Sequence, residues 1–478
     1  MSNRRAGILM HISSLPGEYS IGSLGDVARL FVDRIADAGF SIWQVLPMSM
    51  TDECGSPYKS PASFGANPYL IDLPSLYEEG LITRDELRSA AQTSEDVAEL
   101  ERVLSERLDL LRTAASRVVD RTEIISYVEA RPELSRAAYF MALKCANRGR
   151  EWQAWDNFVA DIDELFFRQF LEYKFYTQWY NLKEYANARG IQIIGDLPIY
   201  VAADSADVWA EPSQFLLDER SYPSSLAGVP PDYFSAEGQL WGNPLYNWPK
   251  MKRDSYGWWR RRLEHALDMY DGVRIDHFRA IEAYWSVPAD AESAKEGKWV
   301  KGPGKAFIRA VREVAGDRLI IAEDLGNITD EVRALVSYSG FPGMRVLQFG
   351  FLDEGDSIHL PHNMPRHAIA YTGTHDNNTL VGFITELGEA ARARLAEYVG
   401  SPDLTAKSIL TAAIRTLYAS AADTVILPVQ DVLVLGSECR MNTPGVAVGN
   451  WRYRMTAADL AAFPVAHYKR LAKLFGRA

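Results

Sequence analysis

The chain has 478 residues, 47% of them hydrophobic, enough for one large core with insertions or for two to three domains. Its 51 Lys and Arg against 63 Asp and Glu give a formal net charge of −12, which argues against a nucleic-acid or anionic-membrane partner and fits an uncharged substrate. No positively charged leader with an apolar core opens the chain and its apolar runs are well short of a membrane span, so a cytoplasmic setting is expected.

In chain order, apolar runs that end in polar or turn residues fall at 7–11, 41–46, 191–196, 272–276, 319–323, 345–349, 368–372 and 424–429. Helical patterns separate most of them, as at 24–38, where Leu30, Phe31 and Ile35 are read on one face, and at 405–419. This alternation predicts an α/β fold, a (β/α)8 barrel with parallel strands inside and helices outside.

The spacing is uneven. About 145 residues separate the second and third runs, too many for one barrel helix. Residues 84–165 are therefore read as a helical insertion, with Leu100, Val103, Leu104, Leu108 and Leu111 in helical register, and 166–188 as the barrel helix feeding the third strand. A second excursion, 197–250, is dense in Pro, Gly, Tyr and Trp with little periodicity, and is read as a loop-rich insertion at the active site of a single catalytic domain spanning 1–478. Cys54, Cys145 and Cys439 lack disulfide-framework or zinc-type spacing and are expected as reduced thiols, with Cys145 in the core. The eight histidines show no HxH or HExxH spacing, so no metal site is expected.

Three of the runs end at carboxylates: GVRIDHFRA (272–280), LIIAEDLGN (319–327) and AIAYTGTHDNNT (368–379). Barrels of this kind keep their catalytic groups at those strand ends. Convergent carboxylates suggest glycosidic-bond chemistry, in which one acts as nucleophile and a protonated one as acid/base. Strand alternation puts Arg274 and Asp276 on one side, where the guanidinium can hold the carboxylate ionised and aimed. Glu323 and Asp324 are adjacent, so only one faces the barrel axis. Periodicity does not say which, but the longer Glu at the end of an apolar strand is the better general acid. After the turn at Gly373, His375 and Asp376 can both reach a ligand.

RIDHFR, AEDLG and THDN, together with SPY (56–58), NPYLIDL (67–73), GDLPIYVAADSADVWA (195–210), GVPPDYFSAEGQLWGNPLYNW (228–248), RMNTPG (440–445) and GNW (449–451), resemble the 4-α-glucanotransferases called amylomaltases or disproportionating enzymes. The resemblance runs from about residue 7 to 451. It implies Asp276 as nucleophile, Glu323 as acid/base and Asp376 as a third carboxylate that binds the sugar in the transition state. It also implies that Tyr58 stacks under the donor sugar, and that Asp196, Arg274 and His375 hold hydroxyls or orient the nucleophile. Asp232, Tyr233, Phe234, Trp241 and Asn243 would contact substrate from an acceptor-side flap, joined by His277 and Asn442. The segments DECG (52–55) and KSPASFGA (59–66) around SPY depart from the family, with Lys59 in place of a usual neutral amide.

The expected reaction is transfer of α-1,4-glucan segments between maltooligosaccharides through a covalent glycosyl enzyme with retained configuration. It needs no cofactor. The alternatives are a retaining α-glucan hydrolase, which differs only in using water as acceptor, and a catalytically silent glucan-binding barrel.

Overall fold

The computed structural model describes residues 4–231, 237–352, 355–446 and 448–478. The strands in chain order are β1 (Arg5–Leu9), β2 (Ile42–Gln44), β3 (Gln192–Leu197), β4 (Ser225–Val229), β5 (Gln239–Pro244), β6 (Gly272–Ile275), β7 (Ala283–Pro288), β8 (Lys298–Lys301), β9 (Leu319–Ala322), β10 (Gly343–Val346), β11 (Ala368–Tyr371) and β12 (Thr424–Pro428). A closed parallel barrel runs β1-β2-β3-β6-β9-β10-β11-β12 and back to β1. Helices cover its outer face, so its strands are buried on both sides and read as apolar runs such as TVILP in β12, every residue of which is buried.

One strand is displaced from its expected position. The run expected at 345–349 forms a strand only over Gly343–Val346, and a 3-10 helix, Leu347–Phe351, follows it. Leu347 and Phe351 are buried on that helical turn, and a short apolar run satisfies either geometry. The outer helix Asp26–Asp37 buries Ala28, Phe31, Val32 and Ile35, while Leu30 turns to solvent at 44% exposure, which corrects the face expected for it.

Between β2 and β3 lie helices Leu73–Glu78, Arg84–Ser89, Leu100–Ser116, Thr122–Glu129 and Pro132–Ala146. The 27-residue helix Ile162–Ala188 follows them. It starts four residues before the expected 166 because the Asp161 side chain accepts from the backbone N–H of Asp163 and Glu164. Cys145 is exposed on helix Pro132–Ala146, not in the core as expected; with Ala142 and Leu143 buried, it falls on the solvent-facing side of that helix.

Segment 197–250 is more than loop. It supplies β4 and β5 to a four-stranded antiparallel sheet, β5-β4-β7-β8, whose other two strands follow β6. The pairing of β4 with β5 shifts register between Leu226 and Gly228, which breaks the period-two pattern that would have revealed the strands in sequence. This sheet packs against the segment leaving β6, through ring contacts of Trp241 with His277 and of Trp299 with Arg279. Among the described residues, no helix is long and apolar enough to cross a membrane.

Candidate active site

The C-terminal ends of β3, β6, β9 and β11 converge on a buried charged network centred on Arg274. In the β3–β6 register Asp196 lies opposite Arg274. The guanidinium grips Asp196 with two bonds, Nε to Oδ1 at 3.0 Å and Nη2 to Oδ2 at 2.8 Å, and reaches Asp276 Oδ1 at 2.8 Å. Burial pulls the Arg274 pKa down, but Asp196 and Asp276 raise it by more, so it is a permanent cation.

Tyr58 enters from the loop after β2 and donates its hydroxyl to Asp196 Oδ2 at 2.6 Å. Its ring stacks on His375 with centroids 5.3 Å apart and lies 6.0 Å from Trp451. Burial lowers the His375 pKa, keeping the imidazole neutral. Its Nε2 sits 2.9 Å from Tyr58 Oη and 3.3 Å from Asp376 Oδ1. The tyrosine proton is already given to Asp196 and the carboxylate can only accept, so these partners call for the Nε2–H tautomer. Asp376 Oδ1 also accepts from Asn442 Nδ2 at 2.6 Å, and Arg440 Nη2 donates to the Asp376 carbonyl at 2.6 Å. The loop bearing Tyr58 is itself anchored: Asp207 accepts from Ser63 N–H and Glu172 from Ala66 N–H.

Glu323 and Asp276 end neighbouring strands, since β6 and β9 pair Ile275 with Ala322 and Glu323 N–H donates to the Ile275 carbonyl at 3.1 Å. Burial raises both carboxyls. Asp276 is pushed to about 7, with Arg274 holding it down, and Glu323 to about 8, with the charge of Asp276 adding to burial. The only hydrogen bond to the Glu323 carboxylate is from Leu325 N–H at 2.8 Å, among the described residues. Such a pair shares one proton near neutrality, and the proton belongs on Glu323, because the cation is on Asp276.

Asp324 faces the other way. Its carboxylate accepts from Met344 N–H at 2.6 Å and pairs with Arg345 Nη1 at 3.0 Å. It fills the place where Gly343 has no side chain, since a Cβ there would lie 2.4 Å from Asp324 Oδ2.

The remaining residues singled out in the sequence fall in several places. His277 is half-buried in the left-handed region (φ 44), perpendicular to Trp241 at 5.0 Å, and its Nε2 has no partner among the described residues. Burial pushes its pKa down to about 3, so it is a neutral ring beside the nucleophile candidate. Asn243 is buried and donates its amide to the Val201 carbonyl at 2.8 Å, which ties β5 to the segment after β3. Asp232, Tyr233 and Phe234 lie outside the described residues. Trp451 and Arg440 were not singled out, although both lie in the quoted RMNTPG and GNW motifs. Among the described residues, no three His, Cys, Asp or Glu cluster in a way that could hold a metal ion.

A family model described as 4-alpha-glucanotransferase matches residues 10–459. A 4-alpha-glucanotransferase of Thermus thermophilus is 43% identical over 481 residues, covering 96% of this chain and 96% of that protein. Another, from Synechocystis sp., is 41% identical over 501 residues, covering 100% and 99%. The solved structure of an amylomaltase from Streptococcus agalactiae in complex with acarbose matches with a TM-score of 0.95 at 36% identity, over 99% of this chain and 100% of that one. With two neighbouring carboxyls, Asp276 and Glu323, at the mouth of its barrel and these relatives along its full length, the chain belongs to the 4-α-glucanotransferase family, the amylomaltases.

Proposed function

We propose that this glucanotransferase works by retaining double displacement on maltooligosaccharides, with Asp276 as nucleophile and Glu323 as acid/base. The carrying observation is the asymmetry of the pair: Arg274 bonds Asp276 at 2.8 Å, whereas among the described residues Glu323 bonds no cation and accepts only from a backbone N–H. The ionised Asp276 attacks the anomeric carbon while Glu323 gives its proton to the departing glycosidic oxygen. The Glu323 carboxylate then takes the proton of an acceptor sugar hydroxyl, which displaces Asp276 and restores the starting state. Asp376, held by Asn442 and flanked by neutral His375, is positioned to bind sugar hydroxyls of the donor, and Tyr58 gives that sugar a ring face. No step requires a cofactor.

Transfer prevails over hydrolysis when acceptor subsites hold a sugar hydroxyl near the intermediate, and we assign that role to the Trp241 face of the small sheet. The three unbridged cysteines support a cytoplasmic setting.

The test is to trap the intermediate. With a donor whose leaving group needs no proton, Glu323→Gln should accumulate a glycosyl ester on the tryptic peptide containing Asp276, and Asp276→Asn should form none. An ester on another carboxylate, or near-normal turnover by Asp276→Asn, would overturn the assignment.

A further inference from the structure

Arg279 closes the RIDHFR segment, and the mechanism above leaves it without a task. It is 4% exposed, and among the described residues no carboxylate lies within salt-bridge distance of it. Its Nη1 donates to the Asn327 carbonyl at 2.6 Å, its Nε has no partner, and its guanidinium lies 3.6 Å from the ring centre of Trp299. A buried cation whose direct contacts are one backbone carbonyl and one indole face, with Glu282 attracting it only from beyond salt-bridge distance, is costly, so its placement calls for a reason.

Asn327 ends the turn that begins at Glu323. The near end of this turn is fixed by three bonds: Glu323 N–H to the Ile275 carbonyl and Phe278 N–H to the Glu323 carbonyl, both at 3.1 Å, and Leu325 N–H to Glu323 Oε1 at 2.8 Å. The far end runs out to solvent through Gly326 and Asn327, and Gly326 has φ +84. Arg279 reaches that end from the segment just after Asp276. Trp299 covers the Arg279 guanidinium, backed by Trp285, its cross-strand partner on β7, with ring centres 5.0 Å apart.

We propose that Arg279 is a positioning residue for Glu323, holding the 323–327 turn from its far end and so fixing the N–H of Leu325 that orients the acid/base carboxyl. Trp299, on the edge strand β8, holds the Arg279 guanidinium in place and thereby couples the small sheet to the acid/base. The proposal rests on Glu323 being the acid/base. A turn freed at Asn327 loosens the Leu325 hydrogen bond that aims Glu323, while Asp276 keeps its grip on Arg274.

A misaimed acid harms only the chemistry that needs a proton. Maltotriose requires protonation of the leaving sugar, whereas α-maltosyl fluoride releases fluoride without it, so the two donors separate a positioning defect from general damage. Arg279→Met should lower the maltotriose kcat roughly 10- to 100-fold, within what a general acid contributes, and leave single-turnover fluoride release within about threefold of wild type. Trp299→Ala, at a residue 37% exposed, should show the same selectivity with a loss of roughly 3- to 10-fold, and it decides the matter if Arg279→Met does not fold. Equal losses on both donors, or no loss on maltotriose, would overturn the proposal. Glu323→Gln is the control: if it too fails to discriminate between the donors, the acid/base assignment is what has failed.

Discussion

Glu323 and Asp324 are adjacent carboxylates at the end of β9, and they serve opposite sides of the barrel wall. Glu323 lies beside Asp276 and, among the described residues, accepts only from Leu325 N–H, whereas Asp324 is tied to β10 through Met344 N–H and Arg345. Replacing each by its amide should separate activity from stability. Asp324→Asn keeps the shape but gives up a buried charge-assisted pair, so it should cost about 1–3 kcal/mol of unfolding free energy with kcat little changed. Glu323→Gln should leave the melting temperature near wild type and lower kcat on maltotriose by roughly 10²- to 10⁴-fold. Paired thermal melts and initial rates check this, and an inactive but stable Asp324→Asn protein would reverse the assignment.

The pH dependence follows from the same pair. Glu323 must hold a proton, so kcat/KM for maltotriose should fall as pH rises through about 8. Asp276 must be ionised, so the rate should also fall as pH drops below about 7, the two limbs belonging to the coupled pair. With α-maltosyl fluoride the alkaline limb of fluoride release should vanish, because that leaving group needs no proton, while the acid limb stays. An alkaline limb unchanged between the two donors would mean that it reports some other group.

Trp241 covers His277, on the face we assign to the acceptor. Removing the indole should weaken acceptor binding and admit water to the intermediate. Wild type should convert maltotriose to glucose plus a ladder of longer oligosaccharides with little gain in reducing ends, since a transfer conserves glycosidic bonds. An acceptor held in place competes at effective molarities on the order of 10⁵ M against about 55 M water. Trp241→Ala should raise the ratio of reducing ends formed to maltotriose consumed several-fold, and an unchanged ratio would remove Trp241 from the acceptor subsite.

Glu172 is a buried carboxyl whose pKa is pushed up to about 8 by burial, in spite of the Ala66 N–H it accepts. A raised folded-state value means that its contribution to stability is full below the ordinary carboxylate range and is lost as pH rises through about 8. Glu172→Gln is neutral throughout and can keep the Ala66 bond, so it should be progressively more stable than wild type as pH rises from about 4 to about 8. The difference should grow by at most about 1.4 kcal/mol per pH unit. Urea unfolding at pH 5 and pH 8 measures it, and equal differences at the two pH values would show that Glu172 does not titrate in this range.

What the sequence determined is local. Strands buried on both faces must be apolar, and they end where the chain turns polar, so the barrel strands, one of them shifted, and the acids at three of their ends are legible from apolar runs. Arg274 and Asp276 share a side because alternation is a property of one strand. The partners of those groups come from far along the chain, and no period encodes them. Tyr58 and His375 are 317 residues apart, and Asn442 lies 66 residues beyond the carboxylate it holds. Which of Glu323 and Asp324 faces Asp276 depends on β10, where Gly343 leaves space and Arg345 supplies charge for Asp324. The small sheet stayed hidden for a related reason: β4 breaks its alternation at a register shift, and it is held as a strand by pairing with β7, which lies beyond β6 in the chain. Burial pattern is written in the order of residues along one element, whereas hydrogen-bond partners and charge partners are fixed only when closure of the barrel brings separate elements together.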